Sequence, residues 1–582
     1  MKLVSNQEVA KTLGLIAEYL EMMSIPFKPR AYERAARAIG SMEEEISELY
    51  EKQGIKGLEE IPGVGRGIAE RIEELFQTGK IKDLEKLKKQ TPVDLEQLTA
   101  IEGLGPKMVK VLWQKLKIKT VDDLEKSARA GKIKGLEHFG EKSEQKILKG
   151  IEFLKKSGGR FLLGDILPLV GMIENRLRKL KQVEEVVVAG SMRRWQETIG
   201  DVDLLVISED SRPVMDFFVS MPEVIHVYGK GETKSMVRLK NQVDVDLRVI
   251  PKKSFGGALQ YFTGNKDHNV AVRQLAIKKG YKLNEYGLFK GKKLVAGAKE
   301  EDIYEALGLK WMPPELRHNT GEIEASREDK LPKLIEWGDL RGDLQIQTSW
   351  TDGANSIEEM ASEAMKMGLD YICITDHTKS LAMTGGSDER QLEKQGKEID
   401  KLNEKLKVKS LKFRVLKGAE VNILKDGSLD ISDVALARLD IVGAAIHSRF
   451  TLSREEQTKR LVRAMENPHV DIIFHPTGRL INKRSAIELD MDEIIKAAKK
   501  TGTVLEVDAA PERLDLKDEY IRRAVSAGVK LVIDSDAHAT SQIHWLKFGV
   551  AQARRGWAEK KDIINAWPLD KMILFLKDAL PR

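Results

Sequence analysis

The sequence holds a single cysteine, Cys373, in 582 residues. Without a second thiol no internal disulfide framework can form, so the chain is expected to fold on buried apolar surface alone, in a reducing compartment. Long apolar runs are also missing. No stretch of about 18 apolar residues occurs, which argues against a membrane-spanning helix, and Met1 to Ala10 lacks the apolar core of a secretion signal. A soluble, cytoplasmic protein is the expectation. An excess of either charge sign is small too, 97 Lys and Arg facing 91 Asp and Glu for a formal net charge of +6, but the distribution is uneven. Residues 101–150 carry 12 Lys and Arg against 7 Asp and Glu, and residues 251–300 carry 11 against 3. Local basic surface of that kind favours a polyanion partner. Residues 1–100, with 15 basic against 18 acidic residues, read as ordinary solvated charge.

A chain of this length implies three to five domains, each able to bury a core. Residues 1–150 read as almost wholly helical, with amphipathic stretches such as Asn6 to Met23 and Asp83 to Lys89. Two turns in this region share the pattern apolar-x-Gly-apolar-Gly followed by a helix: Ile61-Pro62-Gly63-Val64-Gly65 and Ile101-Glu102-Gly103-Leu104-Gly105. This is the helix-hairpin-helix pattern. Its glycines allow a tight turn, and the N–H groups of the next helix can hold a DNA phosphate without reading sequence. Gly63, Gly65, Gly103, Gly105 and Lys107 are therefore candidate DNA contacts. A third turn, Leu136 to Lys142, lacks the first glycine and reads as a weaker copy or a plain helix connection.

The chemistry is expected further on. Val186 to Ala189 reads as a strand, Gly190-Ser191-Met192-Arg193-Arg194 as a turn suited to phosphate, and Asp201 to Ile207 as the next strand. Period two places Asp201 and Asp203 on one strand face. Asp246, within Val243 to Val249, alternates the same way. Three carboxylates converging there suit a pair of hard cations, as two-metal phosphoryl transfer requires. From Phe161 to about Pro314 strands alternate with helices, as in an α/β palm followed by a smaller α+β unit. Glu315 to Gly338 is polar and helix-poor and reads as a linker.

From Leu340 onward, short apolar strands alternate with helices, and polar residues gather at the strand C-termini: Thr375-Asp376-His377, His447-Ser448, His475-Pro476 and Asp534-Ser535-Asp536-Ala537-His538. In a parallel α/β barrel that end assembles the active site. Four of the ten histidines fall there.

With these motifs in hand, residues 1–314 resemble a family X DNA polymerase of the polymerase beta type, and residues 340–582 resemble the PHP phosphoesterase domain that bacterial and archaeal members append. The resemblance implies a multidomain α/β fold. Its parts are a helical DNA-binding domain (1–85), a helical fingers-type domain (86–155), a nucleotidyltransferase palm (156–250), a thumb-type domain (251–315), a linker (316–339) and a distorted parallel PHP barrel (340–582). It also implies that Gly190, Ser191 and Arg194 grip the triphosphate and that Gly200 places the first carboxylate. Asp201, Asp203 and Asp246 would hold two Mg²⁺ or Mn²⁺ ions, with Asp246 activating the primer hydroxyl. Tyr261, Phe262, Gly264, Asn269 and Arg273 would select the nucleotide. The implied partners are gapped or primer-template DNA, deoxynucleoside triphosphates and a repair ligase, with the chain a monomer.

Two departures from the family pattern stand out. Relatives with 5′-deoxyribose phosphate lyase activity carry a lysine where this chain has Arg71, and a guanidinium stays protonated and cannot form the Schiff base. Lyase activity is not expected, although Lys28, Tyr32 and Arg34 could still hold a 5′-phosphate. The PHP opening motif normally presents two histidines, and here reads Asp343-Leu344-Gln345-Ile346-Gln347. Amides are poor ligands for Zn²⁺ or Mn²⁺ compared with imidazole. By resemblance, Glu420 and Asp536 would have completed the first metal, Glu420, His447 and His475 the second, and Asp352, His377 and His538 the third. The expected function is gap-filling DNA synthesis in repair, with the PHP 3′–5′ exonuclease weak or lost. A metal-dependent exonuclease or abasic-site endonuclease, a non-catalytic DNA-end scaffold and template-independent nucleotide addition are the alternatives.

Overall fold

The computed structural model describes residues 4–578 apart from residues 5, 41, 43, 44, 102, 103, 138, 157 and 158. Helices Asn6–Met22, Lys28–Gly40, Ile46–Glu59 and Arg66–Thr78 surround the first hairpin, and Lys82–Gln90, Leu95–Thr99, Pro106–Leu116, Val121–Arg129 and Glu141–Lys156 follow. Their apolar stripes meet in one core that includes Leu13, Ile16, Phe76, Leu98, Leu112 and Leu124. Each such side chain contributes about 1.5–3 kcal/mol on burial. Helix starts follow local chemistry: Thr120 and Asp123 form a reciprocal cap at Val121–Arg129, satisfying backbone donors that would otherwise lack partners.

The palm sheet has five strands in the spatial order Val183–Val188, Asp201–Ser208, Asp244–Ile250, Lys234–Leu239, Val224–Lys230. The two carboxylate-bearing strands, Asp201–Ser208 and Asp244–Ile250, are neighbours and parallel. Asp244–Ile250 alternates half-buried and buried positions, the signature of a strand with one covered face. The thumb carries a three-stranded sheet, Lys282–Asn284, Gly287–Lys290 and Lys293–Ala296, against helices Phe255–Thr263, Lys266–Lys278 and Glu300–Ala306.

Segment 316–339 is more structured than its polarity suggested. It contains the helix Glu322–Arg327 and buries Arg317 and Glu322 completely. Two of its charges are buried against the thumb, where Glu322 meets His268 at 2.7 Å and Arg317 meets Glu300 at 2.5 Å, while others such as Glu328, Asp329 and Lys330 stay exposed.

Seven parallel strands follow in unbroken sequence order, from Gly342–Ile346 to Leu531–Asp534. The first and last come together through the Ile346 to Ala537 bridge and the Gln347 N–H donating to the Ala537 carbonyl at 2.8 Å, so the barrel is nearly closed. Tyr371–Ile374 and Leu531–Asp534 are buried at every position, which is why they read as continuous apolar runs. The barrel packs directly on the palm: Leu514 and Phe548 belong to the palm core, and a Cβ added to Gly164 would lie 2.5 Å from Pro511. The first hairpin also borders the barrel, and a cavity of about 260 Å³ is lined by Ile61, Pro62, Ala354, Asn355 and Thr540. Among the described residues no helix is long and apolar enough to cross a membrane.

Candidate functional site

Strand register sets the palm site. Asp203 lies opposite Asp246, and Asp201 opposite Asp244, on adjacent parallel strands. Asp244 is taken by Arg238, which donates to both carboxylate oxygens at 2.7 and 2.9 Å. Asp246 instead meets Lys234 at 2.9 Å. Burial pushes the Asp203 carboxyl up to about 7, assisted by the charges of Asp201 and Asp246 and opposed by Arg248 and Arg194. Two anionic neighbours beside a desolvated carboxylate leave it short of positive charge. A divalent cation supplies that charge, and three carboxylates are the hard-oxygen donor set such an ion takes. These residues therefore fit the expected metals.

The turn at 190–194 is built against this pair. Ala189 N–H donates to the Asp203 carbonyl at 2.8 Å. Gly190 has φ +63°, and a Cβ there would stand 2.3 Å from Asp203 Oδ2, so only glycine lets the turn approach the carboxylate. Met192 is buried, which holds the short helical turn Gly190–Arg193 in place. Arg194 reaches the Thr263 carbonyl, and Arg193 donates to Thr263 Oγ1 at 2.6 Å. Burial, with the charge of Arg555 next, lowers the Arg194 guanidinium to about 10, well above neutral, so it remains a cation.

The thumb face of the site is aromatic. Tyr261 and Phe262 stand edge to face at 5.1 Å, Arg248 lies 4.5 Å over Phe262 and Arg273 lies 5.9 Å over Tyr261. Asn269 is fixed by Gln260 Nε2 at 2.8 Å and by its own donation to the Tyr261 carbonyl at 2.7 Å. Gly264 faces Arg194. Behind these residues, Glu300 accepts both Arg193 nitrogens at 3.0 Å, Arg317 at 2.5 Å and Trp311 at 2.8 Å. The sequence offered no signal for Glu300 or Arg317, since single charged residues carry no period.

At the hairpins, Gly63 has φ +82° and packs against Arg34 and Ala35, tying the turn to helix Lys28–Gly40. Gly65 and Gly105 cap Arg66–Thr78 and Pro106–Leu116, and both face open space. Gly103 lies outside the described residues, as does His138 of the third turn. Lys28, Arg34 and Lys107 are exposed. Tyr32 is not a surface contact: it is 8% exposed and part of the helical core, and burial pushes its phenol up. Arg71 is held by Asp83 at 2.9 and 2.6 Å and by the Gly67 carbonyl at 2.5 Å.

The barrel's C-terminal end holds a second constellation. Two sets have ligand atoms all within 4.8 Å of one another: Asp352, His377 and His538, and His377, Glu420 and His447. His377 links them, with Nε2 towards Asp352 at 3.7 Å and Nδ1 towards Glu420 at 3.3 Å. His447 and His475 reach Glu420 Oε1 at 2.9 and 2.8 Å. Burial alone would raise the Glu420 carboxyl, but His377 and His447 outweigh it and hold it well below the carboxylate range. Asp352 Oδ1, His377 Nδ1 and His475 Nδ1 are buried without hydrogen-bond partners, as atoms awaiting a metal would be. Two ion positions thus fit the residues present.

The first position does not fit. Gln345 is fully buried with neither amide atom hydrogen-bonded. Gln347 Nε2 donates to Glu420 Oε2 at 2.7 Å, occupying an oxygen that a cation would need. Asp536, expected to join Glu420 there, faces Arg513 at 3.6 Å and His538 at 3.9 Å. Buried Glu506, Asp508 and Asp534 stand nearby, and burial raises each well above the carboxylate range. Glu506 and Asp508 end an otherwise apolar strand, as the histidines do, but the polar clusters of the sequence do not include them.

Comparison with known proteins agrees with this division. Residues 4–81 match a helix-hairpin-helix domain, 95–152 a SAM-like helix-hairpin-helix tandem, 258–318 the DNA polymerase beta thumb and 343–510 the PHP domain. The tandem match takes in the weaker third turn. The chain is 38% identical over 577 residues to the DNA polymerase/3′-5′ exonuclease PolX of Bacillus subtilis, covering 98% of this chain and 99% of that one. It is 25% identical over 341 residues to DNA polymerase lambda of Rattus norvegicus, 53% of this chain and 56% of that one. A probable phosphatase of Thermoanaerobacter is 33% identical over 199 residues, 32% of this chain and 75% of that one. Near-complete coverage by a relative at this identity, with thumb, hairpins and barrel each matched in order, places the chain in the family X DNA polymerases that carry a C-terminal PHP domain.

Proposed function

We propose that the chain is a DNA-directed DNA polymerase that fills short gaps during DNA repair in the cytoplasm. The observation carrying this reading is the Asp203 and Asp246 register pair, with Asp201 on the same strand, beside a glycine turn that no Cβ could enter. Arg194 and the 190–194 turn grip the triphosphate, and Tyr261, Phe262, Asn269 and Arg273 border the base and sugar. Asp201, Asp203 and Asp246 would hold two divalent cations, which when bound neutralise the charge that develops on the transferred phosphate. Asp246 accepts the proton of the primer 3′-hydroxyl. The hydroxyl oxygen then forms a bond to the α-phosphorus as the bond to the pyrophosphate leaving group breaks. Positioning by turn and thumb supplies most of the rate. Gly65, Gly105 and Lys107 hold phosphates on either side of the gap, with Lys28 and Arg34 near the 5′ end. The reading includes no lyase, since the Arg71 guanidinium remains a cation tied to Asp83.

Primer extension on a single-nucleotide gap, beside Asp201→Ala, tests this. Templated addition of one nucleotide that disappears in the variant is expected. Binding of gapped DNA without extension would leave a scaffold, and primer shortening indifferent to Asp201→Ala would make the barrel the working site.

In the PHP barrel, Asp352, His377, His538, Glu420, His447 and His475 would hold two Zn²⁺ or Mn²⁺ ions, and 3′–5′ exonuclease activity is weak or lost because the first position has Gln345 and Gln347 in place of its imidazoles. Gln345→His with Gln347→His is expected to raise Mn²⁺-dependent primer shortening. A rate equal to that of the parent protein would show that the lost ligands are not what limits this barrel.

A further inference from the structure

The six residues between the triphosphate turn and the first catalytic carboxylate, Trp195 to Gly200, are held largely from outside the palm. The Trp195 ring lies 4.9 Å from Trp337 and 6.0 Å from Phe548 of the barrel. Trp337 is covered in turn by Arg554 of the barrel, whose guanidinium is 5.5 Å from that ring. Gln196 Nε2 meets His318 Nε2 at 3.0 Å. Glu197 receives Arg479 of the barrel through both nitrogens, at 3.1 and 2.6 Å, and Gln552 at 2.8 Å. The Glu197 and Arg479 side chains are only 16% and 12% exposed, so the pair is largely withdrawn from solvent screening. Thr198 and Ile199 pair with Leu162 and Phe161, and Arg160, beside them, accepts from Asn482 of the barrel through its carbonyl at 3.0 Å.

These contacts lie on the only covalent path joining Arg194 to Asp201. A displacement of Glu197 moves the triphosphate grip relative to the carboxylates, and errors near 1 Å in such geometry cost about a hundredfold in rate. Resting on the polymerase reading above, we propose that the PHP barrel acts as a brace for the polymerase site, with Glu197 as a positioning residue held by Arg479 and Gln552 and Trp195 as its aromatic counterpart. The barrel then has a role in nucleotide addition that does not require its own metals. Retention of the barrel beside Gln345 and Gln347 follows without any need for exonuclease activity.

The test uses the full chain and single-nucleotide gap filling, with kcat and KM for the incoming nucleotide measured in Glu197→Gln, Phe548→Leu and Glu197→Gln combined with Arg479→Met. Glu197→Gln keeps the side-chain shape but strands the Arg479 charge, and a rise in nucleotide KM of about tenfold is expected, with gapped-DNA affinity unchanged. Phe548→Leu should raise the same KM by a smaller factor. The paired neutral variant should recover part of the loss, because the stranded charge is removed. Folded variants with parental KM and kcat would overturn the brace while leaving the polymerase reading intact. A loss of DNA affinity parallel to the loss in KM would also overturn it, since general destabilisation would then suffice. Absence of extension in the parent protein would remove the polymerase reading and the brace with it.

Discussion

Asp203→Asn is expected to lower nucleotide addition by on the order of a thousandfold while making the chelator-treated protein more stable. The two effects have one cause. Burial, then Asp201 and Asp246, raise the Asp203 carboxyl to about 7, so its anionic form is disfavoured in the fold and useful only when a cation is bound. An amide of the same size removes the disfavoured charge and the metal ligand together. The pH dependence follows from linkage. In the fold Asp203 keeps its proton to about pH 7, whereas in the unfolded chain it loses it near pH 4, so the folded state binds more protons across that window and stability falls as pH rises through it. The Asn variant lacks this loss. Its melting temperature in chelator should therefore exceed that of the parent by a margin that grows from about pH 4 to about pH 7 and levels off above. Other buried carboxyls, Asp343, Glu506 and Asp534 among them, titrate in both proteins and cancel in the difference. A constant margin, or a variant that extends primers at the parental rate, would show that Asp203 is neither enclosed nor a ligand.

Glu300→Ala has the largest expected effect on stability. Glu300 is 3% exposed and Arg317 is fully buried, and one carboxylate satisfies Arg193 from the palm, Arg317 from the following segment and Trp311. Burial alone would raise this carboxyl; Arg317 and Arg193 outweigh it and hold it below the ordinary range. Removing it leaves two guanidiniums without their shared counter-charge, at a cost of about 3–5 kcal/mol. The palm and thumb transition in a calorimetric scan should fall by roughly 10 °C, with a smaller change in the barrel transition. Nucleotide addition should fall too, because Arg193 adjoins Arg194 and its hold on the thumb is lost. Glu300→Leu with Arg317→Met removes two of the three charges and should recover part of the stability, since apolar replacements of buried ion pairs are often nearly neutral while Arg193 stays without its counter-charge. A scan unchanged in Glu300→Ala would mean that the arginines find water or other acceptors instead.

How far the sequence could be read varied with the range of the interaction concerned. Strands Tyr371–Ile374 and Ile441–Ala445 were legible because both faces are covered and every residue is apolar. The strand Arg414–Asn422 was passed over, since Arg414, Lys417, Glu420 and Asn422 interrupt its apolar run. The polarity of 316–339 reads as a linker, but two of its charged residues, Arg317 and Glu322, are buried in pairs with the thumb. Tyr32, a candidate for holding a 5′-phosphate, lies in the core because its spacing to Ala35 and Ile39 puts it on the buried stripe of Lys28–Gly40.

By itself the sequence determined the order of the domains, the glycines at the hairpin turns, the strand phase of Asp201, Asp203 and Asp246, and the two glutamines in the barrel's opening motif. These depend on local spacing and on side-chain chemistry, which the chain carries wherever it folds. Only the tertiary structure decided that Arg238 occupies Asp244 while Asp246 stays beside Asp203, that His377 joins two ligand sets, and that Glu197 is grasped by Arg479 nearly three hundred residues away. The first follows from the pairing of adjacent strands, and the others rest on contacts between segments far apart in the chain, where partner and distance set the energy.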